Sequence, residues 1–75
     1  MNISNLTKKE KMELAQNVNT NVAILKELAN NKDKEIRRVV VTNINTPAAV
    51  LEKLADDGKE WVRKAVLSNL SYKTV

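Results

Sequence analysis

An all-α fold, a short solenoid of stacked helix pairs, is predicted for this chain on three observations. First, the chain repeats itself without a gap. Residues 17–42 read NVNTNVAILKELANNKDKEIRRVVVT and residues 43–68 read NINTPAAVLEKLADDGKEWVRKAVLS, with 9 of 26 positions identical and most others exchanged like for like. A fixed period marks a stacked array, because one unit cannot bury its apolar face alone. Second, apolar residues within each unit recur at helical spacing. Third, one Gly and one Pro in 75 residues supply too little turn chemistry for an all-β chain.

The chain length makes one domain, 1–75. It divides into an N-terminal cap and half repeat (1–16), repeat 1 (17–42), repeat 2 (43–68) and a truncated repeat or tail (69–75). A chain this short buries only about 60–65% of its unfolded surface, so stability is marginal.

The elements follow in order. In the half repeat, Ile3 and Leu6 are placed to close the N-terminal end. Thr7 and Glu10 have capping-box spacing, and a helix follows in which KMELAQ aligns with RRVVVT and RKAVLS of the two repeats. Each full unit holds a helix A and a helix B. Thr20 and Thr46 are the expected N-caps of the A helices, with Pro47 in a first turn, where its missing N–H costs nothing. The apolar face of A is Ile24, Leu25, Leu28 and Ala29, repeated as Val50, Leu51, Leu54 and Ala55. Stacking is expected to set Lys26 near Glu52 and Glu27 near Lys53. The B helices are expected over about 33–42 and 59–68, with core residues Ile36, Val39 and Val40, then Val62, Ala65 and Val66. Asp57 and Glu60 have box spacing before the second B helix. Asn17, Asn43 and Asn69 follow the B helices and are expected to be structural, because Asn tolerates the left-handed turn that ends a helix. The order is therefore B-A-B-A-B.

Three motifs at a constant period carry a resemblance: N-x-N-T-P at 43–47, V-L-x-x-L-A at 50–55 and V-R-x-A-V at 62–66. The first copy departs from them with Asn21 for the proline and Val39 for the alanine. Over about 50 residues the chain resembles the leucine-rich repeat variant family, an all-helical relative in shape of HEAT arrays. True HEAT and armadillo units are longer, about 40–47 residues, and the strand pattern of leucine-rich repeats is absent. The resemblance implies a right-handed superhelix in which one helix per unit is short or 3₁₀. It implies no activity and no cofactor. In HEAT-like arrays the second helix of each unit lines the concave surface where partners bind.

Composition removes whole classes of chemistry. With no Cys there is no disulfide and no thiolate metal site, and with no His the commonest general base and metal ligand are missing. The serines have no base to activate them, and no glycine-rich phosphate loop is present. An enzyme is not expected, and no catalytic, cofactor or metal residue is assigned. The first 30 residues lack the apolar run of a signal peptide, so a cytoplasmic location is the expectation.

Charge is placed unevenly. Ten of 13 basic residues and five of nine acidic ones lie in the B segments, leaving the B side at +5 and the rest at −1. Lys34 and Arg38 lie one turn apart on the outward side, with Lys64 in the next unit and Lys8 in the one before. These four, with Trp61, are the candidate partner-binding residues. A solvated helix face is the plainer reading of the lysines. Trp61 stands where the other units carry Lys9 and Glu35, which fits either an interface anchor or a residue covered by the tail through Tyr72 and Val75. Arg37 and Arg63 fall inside the apolar arc of their helices, so they read as braces, with Asp56 or Asp57 as partners, rather than as an anion site. The expected function is a non-catalytic protein-binding module. Nucleic-acid phosphate binding on the basic face is the alternative, and a piece of a longer array is a third. Self-association or docking of a partner is expected at the C-terminal end, where the last B helix should be partly bare unless residues 71–75 cover it.

Overall fold

The structure, a computed structural model, describes residues 3–69. A 3₁₀ turn, Ile3–Asn5, leads into five α-helices: α1 (Lys8–Gln16), α2 (Val22–Leu28), α3 (Lys34–Thr42), α4 (Ala48–Leu54) and α5 (Glu60–Ser68). No strand occurs among the described residues. The B helices are thus α1, α3 and α5, and the A helices are α2 and α4. α3 is central: it packs on both α1 and α5 and also meets α2 and α4. The radius of gyration is 11.2 Å, close to the ~11 Å of a globular chain of this size.

The two copies bury equivalent positions. Leu25 and Leu51, Leu28 and Leu54, Ile36 and Val62, and Val40 and Val66 all lie in the core. Ile3 is buried at the N-terminal end and Leu6 packs against the same cluster. One B register departs from expectation. Val41, not Val39, is the buried partner of Val40; Val39 and Ala65 are half-buried against the core. That register is Ala15 in α1, fully buried, and Leu67 in α5, 61% exposed. It is buried where a further B helix packs over it and open on α5, where none of the described helices does. Val62 and Val66 are fully buried, so the bare part of α5 is much narrower than the sequence suggested.

Helix ends also differ from the sequence reading. The box at Thr7 and Glu10 forms as expected, with both reciprocal bonds present. The A helices, however, are capped one residue later than expected. Asn21 is the N-cap of α2, accepting from the Ala23 N–H, and Pro47 occupies the N-cap of α4. Thr20 and Thr46 instead turn backward. Their hydroxyls donate at 2.6 Å to the Leu14 and Val40 carbonyls, which satisfies acceptors near the C-termini of α1 and α3.

Asn17, Asn43 and Asn69 adopt no left-handed turn. Their φ values are −73°, −78° and −77°, and no non-glycine residue among those described has positive φ. Asn43 acts through its side chain. Its amide donates at 3.0 Å to the carbonyls of both Ala15 and Asn17, while its Oδ1 accepts from the Asn45 N–H at 2.9 Å. Asn69 repeats the link one period on, donating to the Val41 carbonyl. Each buried amide therefore ties the end of one B helix to the end of the preceding one.

Asp57 does not cap α5. Lys59 holds that position without a side-chain bond, and Asp57 Oδ1 accepts from the Lys59 N–H. Between the A helices no ion pair forms. Lys53 donates to the Asn30 side chain instead, and Lys26 lies across from Lys53 around a small depression. These helices have seven residues each and do not pack on one another as the B helices do.

Candidate binding groove

Arg37 separates structural from free charge. Its Nε donates to Asp57 Oδ2 at 2.7 Å and its Nη2 to Asp57 Oδ1 at 3.1 Å, while Nη1 reaches the carbonyls of Asn31 and Lys32. The fork thus joins the A–B loop of one repeat to the A–B loop of the next. The Asp57 side chain is 8% exposed, and the Arg37 guanidinium beside it holds its carboxyl below the ordinary carboxylate value. Asp57, not Asp56, is the partner. Arg63 repeats only part of this: its Nη1 donates to the Asp57 carbonyl, but the side chain is exposed. The buried stem expected for Arg63 is absent because no described helix covers that side of α5.

Lys8 is also occupied. It pairs with Asp33 at 3.1 Å and with Glu35 at 3.3 Å. Those hydrogen bonds raise its pKa above the usual lysine value. Asp33 is held low, first by the Glu35 backbone N–H it caps and then by Lys8. Lys64 pairs within its own helix with Glu60, both well exposed, a pairing worth little in water.

Lys34 and Arg38 are different. They pair with no carboxylate among the described residues; instead both lie over the Trp61 ring. Lys34 Nζ is 5.4 Å and Arg38 Cζ 4.9 Å from its centroid, within cation–π range. Trp61 remains 40% exposed. Beside this cluster a shallow groove of about 530 Å³ runs between α3 and α5, lined by Arg38, Trp61 and Lys64 and by the apolar Val41, Ile44 and Ala65. The helix stack creates it. Lys34 and Arg38 project from α3 toward the register that Trp61 holds on α5, as Lys8 projects from α1 toward Glu35. One pair is an ion pair and the other is cation on aromatic.

The structure therefore brings Lys34, Arg38, Trp61 and Lys64 together and leaves Lys8 on α1, bound to α3. Tyr72 and Val75, the expected cover for Trp61, lie outside the described residues. Ile44 was missed as a groove residue. It is 63% exposed, and the signal for it was present: Val18 and Ile44 keep an apolar side chain one period apart in a loop that needs none.

Among the described residues no group of three or more acidic, His or Cys side chains is placed to hold a metal ion, and no helix is long and apolar enough to cross a membrane. Comparison of the chain with protein-family models, with curated proteins and with solved structures finds no match.

Proposed function

We propose that this chain is a non-catalytic binding module, a small right-handed solenoid of the leucine-rich repeat variant type, whose partner is a protein. The observation that carries this reading is Trp61. A half-exposed indole stands at a register that is polar in the other units, over an apolar groove, beside cations that have no carboxylate partner among the described residues. Aromatic side chains with apolar and polar neighbours supply most of the energy at protein interfaces. The overhanging cations also fix the ring's orientation, which lowers the entropy lost on binding. The cytoplasm is the compartment that fits this reading.

The test is affinity capture from lysate by the wild-type chain and by Trp61→Ala, each with and without nuclease. Partners retained by wild type, lost with Trp61→Ala and insensitive to nuclease support the proposal. Capture that disappears with nuclease favours the second reading, phosphate-backbone binding. Its motive is the +5 charge of the B segments. Phosphate contacts need cations without partners, and Lys8 and Arg37 have partners already. Single-strand binding also wants several stacking platforms, and the groove has one.

A further inference from the structure

The chemistry of the α3–α5 groove narrows the partner, an inference that rests on reading the groove as a binding surface. Three cations of the B helices have a carboxylate partner: Lys8 has Asp33 and Glu35, Arg37 has Asp57, and Lys64 has Glu60. Lys34 and Arg38 are held over an indole instead. A cation–π contact leaves much of the cation's surface able to take hydrogen bonds, and Arg38 keeps a planar fork for a carboxylate. Immediately beside these heads the groove is apolar, with Val41 and Ala65 in its floor and Ile44 exposed at its edge.

We propose that this groove docks an acidic segment of a partner protein. A carboxylate meets Arg38 and Lys34, and an apolar side chain of the same segment lies between Ile44 and Trp61. Charge complementarity selects the sign of the ligand. The apolar floor selects a peptide over a phosphate backbone, which has no group to place there. At the groove the cations without a carboxylate partner among the described residues, Lys34 and Arg38, are two rather than the row that a polyanion requires.

The test is fluorescence anisotropy with a labelled synthetic peptide of alternating glutamate and leucine. Controls are the same peptide with glutamine for glutamate and a labelled thymidine single strand. The glutamate peptide is expected to bind wild type, more weakly as salt rises. Binding should weaken about tenfold or more in Lys34→Gln with Arg38→Gln. These heads are exposed, so the variant should keep the wild-type unfolding midpoint, checked in parallel. Glutamine-peptide binding as tight as that of the glutamate peptide overturns the proposal. So does tighter binding of the thymidine strand, or no peptide binding at all. Should the charge variant bind unchanged while Trp61→Ala abolishes binding, the acidic class is wrong and the groove stands. If Trp61→Ala also binds unchanged, the groove falls with it.

Discussion

Arg37 and Asp57 form the one nearly buried ion pair among the described residues, with side chains 15% and 8% exposed. Removing either partner leaves polar groups without bonds in a place water reaches poorly. Arg37→Ala is therefore expected to destabilise the fold by about 2–4 kcal/mol, measured by urea unfolding. Arg63→Ala, which loses one exposed bond, should cost less than about 1 kcal/mol. The pair also sets a pH dependence. The Asp57 carboxyl titrates below its unfolded value, because Arg37 hydrogen-bonds its charged form. The unfolded chain then takes up a proton before the folded one does. Asp57 thus contributes its full stability above the unfolded pKa of about 4, and loses it as pH falls toward the depressed folded value. Urea midpoints from neutral to acid pH should fall steeply in wild type and less steeply in Asp57→Asn, which starts lower. Arg37 was legible in the sequence as a brace because its position on the helical wheel is apolar. Which of Asp56 and Asp57 it meets was not, since adjacent residues differ only in the direction the loop gives them.

At the scale of the helices, two devices recur with the period of 26 residues. One is the backward hydroxyl of Thr20 and Thr46; the other is the cross-helix amide of Asn43 and Asn69. Asn43→Ala removes the donor from two carbonyls at the C-terminal end of α1 and is expected to cost about 2–3 kcal/mol. Thr46→Val, which preserves shape but leaves the Val40 carbonyl without its hydroxyl, should cost about 1 kcal/mol. Both are measured by thermal or urea unfolding. The sequence showed that these residues matter, since they hold the same place in each copy. It assigned them the wrong bonds. Thr and Asn before a helix serve equally well as cap, as turn former or as cross-link, and only the proximity of the preceding helix end decides. The A–A charge pairs fail for a related reason: sign alternation at a fixed period pairs residues only if the helices carrying them pack side by side.

Across the whole molecule the two ends differ. The α3 registers of Ile36 and Val39 are filled on α1 by Glu10 and Glu13, both exposed, so that face of α1 is polar. The α5 face keeps Leu67 exposed. Any self-association of the chain should therefore use α5 rather than α1. Sedimentation at rising concentration is expected to show an association that Leu67→Glu removes and Glu13→Gln does not. Leu67 is mostly outside the core, so Leu67→Glu should change the unfolding midpoint little.

The sequence by itself determined that this protein is helical, how many helices it has, where they begin to within a residue or two, and which side chains are central. Those properties depend on spacing along the chain, and spacing is visible in a repeat of known period. The tertiary structure decided what lies between elements: the Arg37–Asp57 fork, the asparagine ties, the openness of Leu67 and the cations over Trp61. The basic stripe was legible as four lysines and arginines on one side, yet Lys8 is neutralised while Lys34 and Arg38 are not. That difference comes from the residues one unit later, Asp33 and Glu35 in one case and Lys59 and Trp61 in the other. Its effect is felt only when α3 sits beside both neighbours, because charge acts through space over a few ångströms and not along the chain.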